Sequence, residues 1–486
     1  MNPPRRPPRI VPNPQPRNVL RVMRHGSLPG LCVLLAAGTL AGCRTLEQFP
    51  TLFFDHETPR ERYEARLELV GVTGTALGRD WLAAASQALD QAPLVGVPHI
   101  EQGFLPAAEP AAVAFRVRAR RGQEIAFEFS LPGDSSTLVF LDAWEVGRDS
   151  AGTLLHLEAA DSGARALLLE PRRDGEYVFR AQPELLRGGR FSATLRVGPT
   201  LAFPVDKGRD GDVGSTWGDP RDGGARNHHG IDIFAPRGTA VLAASEAYVR
   251  RVETTRRGGN VVWLRDVRGN SLYYAHLDRQ AVAEGARVEP GDTIGFVGNT
   301  GNARTTPPHL HFGVYRRGEG PVDPWWFVHR PRDDAPVLAV DTTLFGGWVR
   351  TPHGGAALLA APGPRAARRV ELARHTPLRV LSGVGGWYRV RLPDGGTGFL
   401  AARAVEAIAG ALERAALAGS LPLLTQPRAP VDPGTVLALV PAGASVEVLG
   451  RYGDYLYVRI PGGVAGWVTR LPDGPAAAGG VSSGQQ

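Results

Sequence analysis

His309-Leu310-His311-Phe312-Gly313-Val314 alternates with the two-residue period of a β-strand, so that His309 and His311 share one face and Leu310, Phe312 and Val314 the other. Residues two apart on a strand have Cα atoms roughly 6.6 Å apart, which lets one imidazole bind a metal while its neighbour reaches a water on that metal. An HxH pair by itself is as readily a solvated strand face. His228-His229-Gly230-Ile231-Asp232-Ile233 carries the same alternation and puts His228 and Asp232 on one face. Fully extended, these two would lie roughly 13 Å apart, too far to share an ion with ligand bonds of about 2 Å. The chain must therefore bend between them, and Gly230, which tolerates backbone angles closed to other residues, offers the bend. His229 then points elsewhere, as a spare imidazole.

Five of the 12 histidines (His228, His229, His276, His309 and His311) fall within one short stretch of the 486 residues. Imidazoles clustered with one carboxylate are what a zinc site without thiolates requires. The only cysteines are Cys32 and Cys43, so neither a disulfide framework nor a thiolate cage is available.

Four stretches in order carry a specific resemblance: His228-His-Gly-Ile-Asp232, Tyr274-Ala-His276-Leu277, Gly298-Asn-Thr-Gly301 and His309-Leu-His311-Phe312. Gly238-Thr-Ala240-Val241, Gly258-Gly-Asn260-Val261-Val262 and Val288-Glu-Pro-Gly291-Asp-Thr-Ile294-Gly295 support them. Together they resemble the lysostaphin-type, or LytM-domain, zinc metallopeptidases over about 125 of the 486 residues. One departure is Pro307-Pro308, where that family commonly has a small residue before the first histidine of the pair. The resemblance implies His228, Asp232 and His311 as ligands of Zn2+, with the fourth position open as in catalytic sites. It further implies His309 as general base and His276 as support for the developing oxyanion. The implied fold is a mostly antiparallel β structure with an open groove for an extended peptide, and the implied substrates are the cross-linking peptides of peptidoglycan. Tyr273 and Tyr274 read as strand packing, and Trp325 and Trp326 as domain closure.

Outward from residues 200–330, which hold this domain, the chain reads as mainly β and multidomain. With Gly 61 and Pro 41, an all-α architecture is excluded. Residues 99–199 contain Val113–Val117, Ile125–Phe129, Leu138–Leu141, Tyr177–Phe179 and Phe191–Val197, short alternating runs between turns that predict an accessory β-sandwich. Residues 43–98 predict a partly helical linker region, with helical pattern over Arg60–Leu69 and Trp81–Leu89. Residues 378–400 laid on 446–468 without a gap share eight identities, with Trp387 opposite Tyr455 and Phe399 opposite Trp467. Two copies are too few for a solenoid. They resemble bacterial SH3-like domains and predict two small barrels, over 340–407 and 415–473, followed by a disordered tail at 474–486.

At the other end, a basic stretch precedes the apolar run Leu31–Leu40, too short to span a membrane but suited to the hydrophobic region of an export signal over residues 1–42. Met23 is an alternative start. Leu40-Ala41-Gly42-Cys43 resembles the bacterial lipoprotein cleavage box, which implies lipidation of Cys43 and anchorage in a lipid bilayer. Arg44, rather than an aspartate, follows; by resemblance to Gram-negative sorting patterns this favours the periplasmic face of the outer membrane. The formal charge of +7 falls to +1 without the six arginines that precede Cys43, so the mature chain offers no electrostatic footprint for nucleic acid.

The expected activity is zinc-dependent hydrolysis of peptidoglycan cross-links in wall remodelling or division. Two alternatives stand beside it: a non-catalytic LytM-like activator of wall amidases, against which the five retained functional residues speak, and a wall-binding adaptor in which the SH3-like repeats matter most.

Overall fold

A computed structural model of the chain describes residues 57–132, 137–149, 152–331, 334–428 and 435–469. The export signal, Cys43 and the tail from 474 onward lie outside the described residues. The first described elements are two helices, Pro59–Leu69 and Ala76–Asp90. Thr58 and Glu61 close a capping box around the first, with Pro59 at the helix start where its missing N–H costs nothing. The second helix buries Trp81, whose Nε1 donates to the carbonyl of Pro183 at 2.9 Å, while Gln182 Nε2 donates back to the Trp81 carbonyl at 2.8 Å. This pair ties the helix to the sandwich that follows.

The sandwich is two antiparallel sheets. One contains His99–Leu105, Gly189–Pro199, Gln123–Ser130 and Ala166–Leu169; the other contains Val113–Ala119, Gly175–Pro183, Val139–Val146 and Leu154–Ala159. Phe115, Phe127, Phe129, Tyr177 and Phe179 fill the space between them and are fully buried. Three of these strands carry no sequence signature. His99–Leu105 buries His99 and Glu101 and contains Gly103, so its inward face does not look apolar. Leu154–Ala159 is largely solvent-facing, and Ala166–Leu169 is only four residues long.

The next domain is built on a ten-stranded antiparallel sheet. Its main path runs Arg287–Val288, Ala247–Thr255, Gly259–Asp266, Ser271–Gln280, His309–Arg316, Ile231–Phe234 and Val213–Ser215. Alternation decides the two faces. Ile231, Ile233, Leu272, Tyr274, Leu310, Phe312 and Val314 enter the core, and Asp232, Tyr273, Ala275, His309 and His311 take the other face. A short helix, Trp325–Val328, closes the domain against the sandwich. Phe327, rather than either tryptophan, makes the tight contact: a Cβ on Gly122 would lie 2.5 Å from its ring. Trp326 instead receives the Arg120 guanidinium at 4.7 Å.

The two C-terminal repeats share one strand plan. Pro377–Val384, Trp387–Arg391 and Thr397–Ala401 form one meander, and Ser445–Tyr452, Tyr455–Arg459 and Ala465–Thr469 the other. Both break register at the same place, between Val380 and Ser382 and between Val448 and Gly450. Neither barrel is a loose appendage. Strand Pro377–Val384 pairs with His99–Leu105 through Gln102↔Gly383 and Gly103↔Ser382, so the sandwich sheet and the first barrel are continuous. Beneath that seam the buried Glu101 carboxylate accepts from Ser382 Oγ at 2.5 Å, contacts His99 Nε2 at 3.1 Å and lies 3.6 Å from the Arg389 guanidinium. The second barrel packs Tyr457 and Trp467 against Trp348 of the first.

Candidate metal centre

His228 Nε2, His311 Nδ1 and Asp232 Oδ1 converge. The two nitrogens are 2.9 Å apart, and they stand 3.0 and 2.9 Å respectively from the carboxylate oxygen. Asp232 and His311 meet because they are register partners on adjacent strands. His228 joins them from the bend ahead of Ile231, where Gly230 is required for a different reason from the one the sequence suggests. It is not among the residues with left-handed backbone; a Cβ there would instead lie 2.6 Å from His311 Cε1 and from the Phe312 carbonyl oxygen. The bend is made possible by the space glycine leaves for the ligand ring.

The protonation pattern suits a cation. His228 Nδ1 donates to the Thr216 carbonyl at 2.8 Å, so Nε2 is the ring nitrogen that faces the convergence point. Burial disfavours the charged form of His311, although Asp232 opposes that effect, and its net shift is downward. Burial also works against ionisation of Asp232, but the two histidines outweigh it and hold the carboxyl well below the usual range. A carboxylate and two imidazole nitrogens around one point are a donor set for zinc, whose bonds to such atoms are about 2.0–2.2 Å.

His309 and His276 stand beside this trio, the rings 5.1 Å apart, with His276 5.9 Å from His311. His309 Nδ1 donates to the backbone carbonyl of Pro307 at 2.9 Å, which anchors this imidazole. His276 Nδ1 donates to the Thr300 carbonyl at 2.9 Å. Burial, aided by His311 and His309, pulls the His276 pKa down to about 4. In the neutral form both rings therefore keep an unprotonated Nε2, and His276 can donate to an oxyanion only after it has taken up a proton.

The glycine-rich motifs explain how His276 is held. Its φ is 63°, a left-handed conformation costly for a side-chain-bearing residue and common at functional sites. Gly258 accepts its backbone N–H at 2.7 Å. Gly259 and Gly301 press backbone to backbone: a Cβ on Gly259 would lie 2.1 Å from Thr300 Oγ1 and one on Gly301 2.3 Å from the Gly259 nitrogen. Asn260 locks the pair by donating to the Leu277 and Asp278 carbonyls at 3.2 and 2.9 Å.

The two tyrosines part company. Tyr274 is core, its hydroxyl accepting from Ala244 N at 3.0 Å. Tyr273 faces the site, edge-on to His311 at 5.7 Å and packed with Trp263 and Tyr315 into a half-buried aromatic flank, its pKa pushed up to about 12 by burial. His229 is exposed and stacks on Trp217, away from the trio. Sequence reading gave no role to Ser215–Arg221, yet this segment supplies partners to both His228 and Asp232. Its visible signal was only the turn chemistry of Thr216-Trp-Gly-Asp-Pro220.

A sheet carrying a His/Asp/His centre with two further imidazoles has the donor set of a metal site with proton-transfer groups beside it. Residues 226–324 match the model of peptidase family M23, and residues 353–406 that of the bacterial SH3 domain. The chain thus contains an M23 peptidase domain followed by an SH3 domain. It is similar to the L-Ala–D-Glu endopeptidase of Bacillus subtilis, 39% identical over 135 residues, which cover 26% of this chain and 41% of that one. It is also similar to the DD-carboxypeptidase/endopeptidase Mpg of Neisseria meningitidis, 42% identical over 99 residues, which cover 20% and 22%. Among solved structures, the catalytic domain of lysostaphin from Staphylococcus simulans aligns at 32% identity over 23% of this chain and 86% of that one, with a TM-score of 0.21. The chain spans less than half the length of these two enzymes from Bacillus and Neisseria.

Proposed function

We propose that this chain is a zinc-dependent endopeptidase that hydrolyses the peptide cross-links of bacterial peptidoglycan during wall remodelling or division. The observation that carries the reading is the convergence of His228, Asp232 and His311 on one point with His309 and His276 beside it. Similarity to enzymes named as peptidoglycan DD-endopeptidases supports the substrate class.

In this reading His228, Asp232 and His311 hold zinc, which when bound supplies a Lewis acid that acidifies water and polarises a carbonyl. His309, its Nδ1–H committed to Pro307, presents Nε2 to take the proton of the attacking water and later return it to the leaving amine. His276 is neutral at rest; once it holds a proton it can donate to charge developing on the scissile carbonyl oxygen. The aromatic flank of Trp263, Tyr273 and Tyr315 bounds the same face beside His311.

The two C-terminal barrels would hold peptidoglycan for the peptidase domain, and a lipid on Cys43 would tether the exported protein at the periplasmic face of the outer membrane, beside the wall. Metabolic labelling with a lipid precursor and membrane fractionation of wild type and Cys43→Ser test the tether. For the activity, purified cross-linked peptidoglycan is digested with and without a zinc chelator and the products are read by mass spectrometry. Zinc-dependent loss of cross-linked fragments is expected; intact cross-links with zinc demonstrably bound would overturn the enzymatic reading.

A further inference from the structure

The carboxylate of Asp232 is divided between two environments. Oδ1 faces both histidines, whereas Oδ2 accepts from Arg221 Nη2 at 2.7 Å. The same nitrogen donates to Ser215 Oγ at 2.6 Å. Ser215 is the register partner of Asp232 across the sheet, and its hydroxyl donates on to Asp219 Oδ2 at 2.8 Å. Asp219 fastens the turn by accepting from Thr216 N at 2.8 Å, and Thr216 supplies the carbonyl that fixes the tautomer of His228. The backbone closes the loop: Gly218 N donates to the His228 carbonyl and His228 N to the Asp219 carbonyl, both at 2.9 Å. Arg221 is held in place by pairing of Pro220–Arg221 with Arg226–Asn227, a hairpin whose tip has Gly223 and Gly224 at φ 69° and 93°. Five of the seven residues from Ser215 to Arg221 thus form a bonded surround for two of the three ligands.

We propose that Arg221 is a positioning residue that occupies Oδ2 of Asp232, so that this ligand can offer a metal only Oδ1. The inference rests on the zinc reading above. A carboxylate free at both oxygens can turn and take two coordination positions, filling the place that water and substrate need. A guanidinium is suited to prevent this, because it stays charged in all relevant conditions and its planar fork lets one nitrogen serve Asp232 and Ser215 together. Outer-shell partners of this kind typically change metal affinity or activity by about 10–100-fold when removed.

The test uses the whole chain and zinc alone as probe. Zinc affinity is measured by competition with a chromophoric chelator, zinc coordination by X-ray absorption, and folding by melting of the metal-free protein. Arg221→Ala is expected to weaken zinc binding about 10–100-fold and to add one light-atom ligand to the bound zinc, while the metal-free melting temperature stays within a few degrees of wild type. Arg221→Lys, which keeps one donor for Oδ2, is expected to recover part of the affinity. Wild-type affinity and coordination in Arg221→Ala would overturn the proposal while leaving the zinc reading intact. A wild-type chain that binds no zinc would overturn both. If Arg221→Ala does not fold, Arg221→Lys decides: a loss of about threefold or more is expected, and none overturns the proposal.

Discussion

Nδ1 of His276 is 2.9 Å from the carbonyl oxygen of Thr300, and this one hydrogen bond fixes which nitrogen of a left-handed, buried imidazole remains bare. The ring belongs to the candidate site, yet its surroundings make it resist protonation. That has a consequence for stability as well as for chemistry.

In the folded chain the His276 pKa lies at about 4, against 6.5 for an unperturbed histidine, chiefly through burial. Above about 6.5 both folded and unfolded states are neutral and the residue adds no pH dependence. Between about 6.5 and 4 the unfolded state binds more protons, so stability falls as pH falls through this window. Thermal melts of metal-free protein across it are expected to show that slope, and His276→Asn to flatten it. An unchanged slope in the variant would place the titration elsewhere.

His311→Ala is expected to lose both zinc and hydrolysis, because His311 Nδ1 is one of the three convergent atoms. His309→Ala is expected to lose about 10²–10⁴-fold in hydrolysis while keeping most of its zinc. Zinc per chain, measured by elemental analysis beside peptide hydrolysis, separates the two. Equal zinc loss would undo the division of roles.

Gly259→Ala is expected to destabilise by about 2–4 kcal/mol, since it combines left-handed backbone with a Cβ at 2.1 Å from Thr300. Because Thr300 also holds His276, activity should fall further than the folded fraction does. Urea unfolding and specific activity of the folded protein measure the two effects.

Glu101→Ala is expected to cost about 3–5 kcal/mol, because it leaves the Arg389 guanidinium buried beside His99 and Ser382 without its carboxylate. Limited proteolysis should then release the first barrel from the sandwich. For the same reason deletion of both repeats does not test wall binding cleanly: it uncovers the His99–Leu105 strand edge along with any binding surface.

Residues with a local rule behind them were legible in the chain. Alternation put His309 with His311 on a shared face, and the ungapped repeat announced two barrels with one plan. What only tertiary structure decided depends on pairing between distant segments. The seam between the sandwich and the first barrel joins residues about 280 apart, and a buried Glu101 looks from sequence like any exposed acid until Ser382, His99 and Arg389 surround it. Arg221 likewise carries no periodic or motif signal, because its meaning lies in one oxygen of a carboxylate that folding brings to 2.7 Å. Gly230 stands between these cases. Its presence in the motif was visible, but its reason, the ring of His311 lying where a Cβ would be, exists only once two strands have paired.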